Sequence, residues 1–561
     1  MFPIAIAQLD PVVGAFEANV QKIKEAYQRA CAQRARFLLT PELGICGYPP
    51  YDLIERPEMF EKNDRWLDEL REFTRGKGCA LVVGHIARNP LEFGRPAQNV
   101  VSVLENGDRV FHQAKTLLPT YDVFDEARYF EPAKQIQLWN CDGLPVALGI
   151  CEDFWGADLQ LGRKFYAKDP VQAYEELGAK LVCSISASPY YFGKPEKREK
   201  LHQEIAKRLN APLVYVNQVG ATDEILFDGG SFCLGSDGSL LGRLPFFQKG
   251  FEVHQLQTPL QGVVPSFDAM EVLVRGLVTG IREYFTRTGF KKAILGLSGG
   301  IDSAVVATLA VQALGSKNVL GVAMPSQYSS SHSLEDAEIL AKNLGISFDV
   351  RPIKFLFSQA SRELSETRGQ LASLALENLQ SRLRGLVLMT WSNHDNALVL
   401  TTGNKSEMAM GYCTLYGDMA GALNPLGDVF KTRVYQLATW MNQAWGNPIP
   451  QRSLVKAPSA ELRPNQTDQD TLPPYEYLDE ILEGYLEKGL SVDDLCAQLD
   501  KKFIEKCPEK SLGKLGKPRE ILQCLENYEY KRRQAAPVLK VSQKAFGIGR
   551  RIPIAKTWDQ T

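Results

Sequence analysis

No apolar run in this 561-residue chain approaches the 18 or more residues of a membrane-spanning helix, so no such span is expected. Neither sign of charge dominates: 64 basic and 66 acidic side chains leave a formal net charge of -2. Nonspecific attraction to nucleic acid or to an anionic membrane therefore has no electrostatic basis. The opening MFPIAIAQLD lacks a charged n-region and turns acidic too early for a secretory leader. The 11 cysteines are odd in number, scattered, and include no CxxC pair. That usage fits reduced thiols in the cytoplasm better than a disulfide framework. About nine of the 11 are expected to pack as small apolar residues. Internal repeats and low-complexity tracts are missing as well.

What is present is an ordinary globular composition, 44% hydrophobic and 23% charged, in a chain long enough for two to four domains. Residues 1–256 read as short apolar strands (PIAIAQL, ARFLLT, ALVVGHIA, LPVALGI, KLVCSISAS, APLVYVN) between helices of 3.6-residue periodicity, with hairpins around ENGD and GSDGS. Helices alternating with hairpins and single strands predict helices layered over mixed sheets. Periodicity lapses at 257–267, QTPLQGVVPSF, where Pro and Gly mark a linker. Residues 268–561 change cadence. KKAILGL, NVLGVAMP and ISFDVRPI alternate with helices, which predicts a doubly wound parallel sheet and an α/β chain overall. The stretch 452–474 is polar and proline-rich, a long loop of the kind that carries function or stays disordered.

The most informative segment is AILGLSGGIDSAVVATLAV, residues 293–311. An apolar strand runs straight into Ser298-Gly299-Gly300-Ile301-Asp302-Ser303 and a helix starts at once. Two glycines let backbone N–H groups approach an anion, and the helix start adds orphan N–H groups and a positive dipole end. Ser298 and Ser303 supply hydroxyls. Asp302 would repel a bare phosphate and makes sense as a ligand of a Mg²⁺ that bridges phosphates. An ordinary strand-to-helix turn capped by Ser and Asp is the alternative. The segment matches neither GxxxxGK[ST] nor GxGxxG.

SGGxDS after a strand resembles the loop of PP-loop enzymes, which cleave ATP between the α and β phosphates and adenylate an acceptor. The strings LVLTTGNKSEMAMGYCTLYGD, NPLGDVFKTRVYQLA and KAPSAELRPNQTDQDTLPPYEYLDEIL follow in order and resemble NAD synthetases over nearly all of 270–555. That resemblance implies adenylation of the nicotinate carboxylate of deamido-NAD and displacement of AMP by ammonia. It implies ATP contacts from Gly296, Leu297, Ser298, Gly299, Gly300, Ile301, Asp302, Ser303, Thr402 and Lys431. It implies deamido-NAD contacts from Asn378, Arg382, Glu407 and Lys531, and metal contacts from Asp302 and Glu407. Members of that family often show Gly-Gly-Phe-Asn-Pro where this chain has Gly421-Ala422-Leu423-Asn424-Pro425. The departure removes no catalytic group.

Three further segments each put one reactive group at a strand end: Glu42 in FLLTPELGICGYPPYDL, Lys115 in HQAKTLLPTYDVFDEARYF and Cys151 in LPVALGICEDFW. A thiol is mostly protonated at neutral pH and needs a base, here Glu42. The attacked amide develops an oxyanion, which Lys115 can hold. Singly, each residue is more often packed or solvated. Together, their flanking words resemble the Glu-Lys-Cys amidases of the nitrilase superfamily, and more narrowly the glutaminase domain fused to NAD synthetases. The resemblance implies an α-β-β-α sandwich and places Tyr121, Ser188 and Lys194 at the substrate amino acid. Glu126, near Lys115 in sequence, is the candidate that orients the lysine.

Ammonia released beside Cys151 would be mostly protonated if it escaped, so a sheltered route to the Asp302 region is expected. The family implies a homo-oligomer with a dimeric synthetase core, up to an octamer. A different PP-loop enzyme acting on a nucleotide or tRNA base is one rival; the near-neutral charge and the lack of a basic or aromatic-interleaved tract count against tRNA. A catalytically dead scaffold is the other, and nothing missing from either constellation favours it.

Overall fold

A computed structural model of the protein describes residues 2–156, 159–160, 163–256, 266–503 and 517–557. It divides into two compact units, Met1–Gly276 and Leu277–Thr561. Residues 257–265, most of the expected linker, lie outside the described residues.

The first unit contains two six-stranded mixed sheets. One runs Gly250–His254, Ile4–Gln8, Phe37–Leu39, Ala80–Arg88, Ala97–Glu105, Asp108–Ala114; the other runs Leu240–Arg243, Phe232–Leu234, Leu213–Asn217, Leu181–Ser186, Leu144–Ile150, Leu138–Cys141. Alternate residues of each pleat point to opposite faces. Ile4, Ile6, Leu39, Val82, Val101 and Val103 of the first sheet therefore meet Val146, Leu148, Ile150, Cys183 and Val214 of the second in one apolar core. The outer faces are covered by helices. Phe16–Ala32 buries Phe16, Val20, Ile23, Tyr27 and Ala30 at helical spacing. On the other side Val171, Tyr174, Ile205 and Leu209 pack over Ala147, Val182 and Leu213. The result is the α-β-β-α sandwich. Both hairpins form where expected, around Asn106-Gly107 and in the turn 235–239.

The second unit is built on a four-stranded, all-parallel sheet in the order Ser347–Val350, Val319–Ala323, Lys292–Gly296, Ala397–Val399. The helix Ser373–Asp395 lays Leu388 on Ile294, Val322 and Val399. The helix Ile301–Leu314, buried along Ala304–Ala310, packs against Lys292–Gly296 and Val319–Ala323. The chain runs from the first strand to its neighbours on one side, then returns to add Ala397–Val399 on the other. That reversal opens a crevice at the carboxyl end of Lys292–Gly296, where the Ser298–Ser303 loop begins. A helical cluster follows, in which Leu478, Ile481, Leu482, Leu495, Ile521 and Leu525 share a core.

Ala422 needs no glycine. It lies in a bend outside the left-handed region, with its N–H donating to Val399 O at 2.8 Å and its carbonyl accepting from Tyr284 Oη at 3.0 Å. The loop expected over 452–474 is interrupted by structure at both ends, the helix Gln451–Val455 and the turn Asp468–Asp470. Six of the ten described free cysteines are buried and four are half-buried, fewer than the nine or so expected to pack. Three of those four, Cys31, Cys496 and Cys524, lie on amphipathic helices, whose flanks stay partly wet. Among the described residues no helix is long and apolar enough to cross a membrane.

Candidate active sites

In the first unit, the strands that end before Glu42 and Lys115 run in the same direction and leave one sheet at the same edge. The Glu42 turn is pressed onto the strand Ala80–Arg88. A Cβ on Gly84 would stand 2.6 Å from Leu43 N and 2.7 Å from Pro41 O, so only glycine permits the approach. Glu42 Oε1 accepts from Lys115 Nζ and from Asn99 Nδ2, both at 2.7 Å, and Oε2 accepts from Ala187 N at 2.8 Å. Lys115 Nζ also donates to Glu126 Oε1 at 2.8 Å, which takes a second bond from Tyr48 Oη.

Cys151 enters from the other sheet, directly after Leu144–Ile150, with φ of +43°. A left-handed cysteine costs backbone energy and persists only where its surroundings enforce it. Asp153 does the enforcing. Its carboxylate accepts from Ile150 N at 3.0 Å and from Thr116 N and Leu117 N at 2.9 Å, so it ties the cysteine turn to the segment after Lys115.

The thiol is buried, and burial followed by the Glu42 carboxylate pushes its pKa up. It rests protonated and needs a base at the moment of attack. Burial alone would lower Lys115, but Glu126 and Glu42 hold it well above its ordinary value. One lysine between two buried carboxylates leaves one negative charge too many, and burial raises Glu126 to about 7.

The expected substrate residues ring this centre. Tyr121 Oη donates to the Glu152 carboxylate, 3.0 Å from either oxygen. Lys194 is buried at the start of the helix Lys194–Leu209, with Nζ on Pro189 O at 2.7 Å and over the Trp155 ring. Ser188 N donates to Asn217 Oδ1 at 2.8 Å, one residue past the amide that holds Glu42. Sequence reasoning missed Glu152, which is buried, takes a second bond from Tyr166 Oη at 2.9 Å and is raised by burial to about 7. It also missed Asp153. The signal was the Glu-Asp pair directly after the cysteine, where an apolar strand should be followed by something less costly to bury.

In the second unit a cavity of about 300 Å³ opens on the Ser298–Ser303 loop. Gly296, Leu297, Ser298, Gly300, Ile301, Asp302, Ser303, Thr402, Glu407 and Lys431 all line it. Gly299 lies behind, at φ +74°, where a Cβ would stand 2.3 Å from Ser333 O. Lys431 Nζ pairs with Asp302 Oδ2 and lies 3.5 Å from Glu407 Oε1, while Asn404 Nδ2 donates to Asp302 Oδ1 at 3.0 Å. Burial raises Glu407 to about 8, with Lys431 opposing and Asp302 adding to the rise. Among the described residues no group of three or more His, Cys, Asp or Glu side chains is arranged to hold a metal by itself.

Asn378, Arg382 and Lys531 are brought together, though not into the cavity lining. All three reach the segment Gly411–Leu415: Asn378 Oδ1 accepts from Thr414 Oγ1 at 2.9 Å, Arg382 Nε donates to Leu415 O at 3.2 Å, and Lys531 Nζ donates to Gly411 O and Cys413 O at 2.7 and 2.8 Å. Arg384, overlooked two residues after Arg382, does line the cavity, anchored by Nε on Met324 O at 3.1 Å.

Carbon-nitrogen hydrolases match the chain over residues 3–263, and NAD synthases over 273–535. The glutamine-dependent NAD(+) synthetase of Synechocystis sp. is 44% identical, covering 100% of this chain and 99% of its own length. That of Thermotoga maritima is 36% identical over 99% of each. The chain belongs to the glutamine-dependent NAD(+) synthetases. The solved structure of the Acinetobacter baumannii enzyme, in complex with ADP, superposes with a TM-score of 0.76 at 34% identity, covering 100% and 99% of the two chains. The Cytophaga hutchinsonii structure shares the fold, with a TM-score of 0.80 at 20% identity. As a synthetase of this family, the chain is a ligase that hydrolyses glutamine for ammonia, adenylates deamido-NAD with ATP, and amidates it to NAD with release of AMP and pyrophosphate. ATP and glutamine are its co-substrates.

Proposed function

We propose that Glu42, Lys115 and Cys151 carry the glutaminase chemistry, and that the cavity on the Ser298–Ser303 loop takes ATP and deamido-NAD. Glu42 accepts the thiol proton as Sγ attacks the γ-carboxamide carbon of glutamine, and Lys115 holds the oxyanion. The C–N bond breaks as Glu42 returns the proton to the leaving nitrogen, giving ammonia and a thioester. Glu42 then activates water, and glutamate leaves. Lys194 takes the α-carboxylate of glutamine, and Glu152, held by Tyr121 and Tyr166, takes its α-ammonium; Ser188 lines the same subsite. Glu126 orients Lys115. The observation that carries this reading is the convergence of Glu42 and Lys115, 2.7 Å apart, beside a buried thiol at a left-handed turn.

In the second unit the nicotinate carboxylate attacks the α-phosphorus of ATP, the bond to the β-phosphate oxygen breaks, and pyrophosphate leaves. Ammonia then attacks the acyl adenylate and AMP departs. Gly296–Ser303, Thr402 and Lys431 hold the nucleotide; Arg384 and the wall braced by Asn378, Arg382 and Lys531 face deamido-NAD, with Glu407. Asp302 and Glu407 suit Mg²⁺. They are hard oxygen donors in one cavity, and Glu407 is raised to about 8 partly by repulsion from Asp302, which a divalent cation relieves. Mg²⁺ is commonly held by one or two carboxylates plus substrate phosphates, and it would neutralise charge on those phosphates.

The boundary between the two activities falls within 257–267, consistent with family matches ending at 263 and resuming at 273. Free thiols support a cytoplasmic enzyme. A homo-oligomer with a dimeric synthetase core, up to an octamer, is supported by exposed large apolar side chains on the helices Lys354–Arg368 and Ser373–Asp395, among them Phe355 and Leu374.

The test is a swap of nitrogen sources with ATP, Mg²⁺ and deamido-NAD. Cys151→Ala should lose NAD formation from glutamine and keep it from ammonium, while Asp302→Ala loses both. Unchanged glutamine use by Cys151→Ala would remove the nucleophile assignment.

A further inference from the structure

The lysine that pairs with the phosphate loop stands on a helix that cannot cap itself. Lys431 is the first residue of the helix Lys431–Trp445, and Phe430 before it offers no side-chain acceptor to the N–H groups of that helix start. Such groups have no partner inside the helix and must find one elsewhere. Lys431 N donates to Ser406 Oγ at 2.9 Å and Thr432 N donates to Asp479 Oδ2 at 2.8 Å, while Ser406 Oγ itself donates to Asp479 Oδ1. The cap therefore comes from residues 25 and 47 positions away in the chain. A carboxylate at a helix start is also favoured by the helix dipole.

The two ends of this bridge carry charges of the cavity. Ser406 directly precedes Glu407 on the short helix Lys405–Met410, and Lys431 extends the ammonium that pairs with Asp302 and lies 3.5 Å from Glu407. The bond between Lys431 N and Ser406 Oγ thus sets one helix start against the other, and with them the spacing of ammonium and carboxylate. The short helix is fixed by other means. Asn404 Oδ1 accepts from Glu407 N at 3.0 Å, and its Nδ2 donates to Asp302 Oδ1. Lys405 N donates to Val429 O at 2.9 Å, and its buried ammonium is held by Asp428, Glu487 and Ser542 Oγ.

Asp479 is rigidly mounted. It lies on the helix Tyr475–Leu486, whose Leu478, Ile481 and Leu482 share an apolar core with Met408 and Phe430. A buried carboxylate in such surroundings is costly unless its oxygens are bonded. Both of them are, one to each helix start. Neither Asp479 nor Ser406 lines the cavity, so no contact with a ligand explains them.

We propose that Asp479 is a positioning residue for the ATP-driven step. Acting through Ser406 and the Thr432 N–H, it holds the start of Lys431–Trp445 where the Lys431 ammonium meets Asp302, Glu407 and the phosphates of ATP. This rests on the reading that Lys431 holds the nucleotide.

The test measures binding of ATP with Mg²⁺ to the full chain by calorimetry, and NAD formation from ammonium. Asp479→Asn keeps the size but leaves one carboxylate oxygen fewer for two donors. ATP affinity should fall about tenfold, and kcat with ammonium about tenfold or more. KM for deamido-NAD and basal glutamine hydrolysis should not change. Ser406→Ala, a smaller change at the other end of the bridge, should act in the same direction. The deciding readout is the combination with Lys431→Met. If Asp479 works through Lys431, Asp479→Asn should weaken ATP less than about twofold further once that ammonium is gone. A residue that merely stabilises the fold would lower the thermal midpoint and leave ATP affinity unmoved, or cost the same factor with and without Lys431. Either of those results, in protein that folds, overturns the positioning role. ATP affinity unchanged in Lys431→Met alone would instead remove Lys431 from the nucleotide site, and the role of Asp479 with it.

Discussion

The two active centres manage buried charge in opposite ways. Around Cys151 hydrogen bonds join Lys115, Glu42, Glu126, Asn99 and Tyr48 directly to one another, leaving Glu126 Oε2 and Asn99 Oδ1 without a partner. Around Asp302 the charges face a cavity of about 300 Å³, three carboxylates share Lys431, and the buried Oδ1 of Asp468 has no hydrogen-bond partner. The first centre is organised without any ligand, as the oxyanion stabilisation proposed for it requires. On the proposed reading the second is completed by its ligands, whose phosphates would supply the anionic oxygens and whose cation would supply the missing positive charge.

The sharpest break of that contrast is Lys115→Met. Removing the ammonium leaves two buried carboxylates without their shared counter-charge, at a cost of about 3–5 kcal/mol to the first unit. Glutamine-dependent NAD formation should fall at least about 10⁴-fold, because oxyanion stabilisation and the base's orientation are lost together. Ammonium-dependent formation should survive in whatever protein folds. Glutamine turnover within tenfold of the unsubstituted enzyme would mean the network is not a single unit.

Gly299→Ala makes the matching break in the second unit. The new Cβ would lie 2.3 Å from Ser333 O, a backbone atom, at a φ of +74° that disfavours any side chain. The phosphate loop must move by an ångström or more, and a misplacement of that size costs about a hundredfold. NAD formation should fall from both nitrogen sources, while glutamine hydrolysis, followed by glutamate release, should persist. Equal loss of hydrolysis would show that the two centres are organised together.

Much of this division was legible in the sequence because both centres sit where chain direction changes. Glu42 and Cys151 each follow an apolar strand, Lys115 follows a hairpin strand, and SGGIDS lies between a strand and a helix, so local pattern gave their place. The groups that hold them were harder to see. Asp153 acts on Thr116 and Leu117, 36 or 37 residues away in the chain, and Asp479 acts on Thr432 at a separation of 47. No periodicity encodes such pairings. Asn378, Arg382 and Lys531 show the reverse limit: family resemblance alone gave them substrate contacts, and no local pattern told that their side chains brace the Gly411–Leu415 wall.

Asp153→Asn tests how far the closed centre depends on that bracing. The amide can replace one carboxylate oxygen but not both, so at least one of three backbone N–H groups loses its partner, at about 1–3 kcal/mol. The turn carrying Cys151 should loosen, lowering kcat for glutamine about tenfold, with KM for ATP unchanged. A rise in KM for ATP instead would place Asp153 in communication between the units.

The smallest effect expected is a slope. Glu152 has a folded pKa of about 7 against an ordinary 4.5, raised chiefly by burial. A raised carboxyl contributes stability that is fully present below about 4.5 and is lost as pH rises through about 7, because the fold favours the neutral form. Gln at this position keeps acceptors for Tyr121 and Tyr166 and cannot ionise. The thermal midpoint of Glu152→Gln relative to the unsubstituted protein should therefore climb by several degrees between pH 4.5 and 7 and level off above. Glu126 contributes a slope of the same sign, and His85, held neutral by burial with a pKa of about 3, contributes the opposite sign as pH falls from 6.5. Both are present in the two proteins and cancel in the difference. A gap that is flat with pH would mean that Glu152 stays ionised at neutral pH, with Lys115 and Lys194 outweighing burial, and the first centre would then carry an excess charge that its closed network does not absorb.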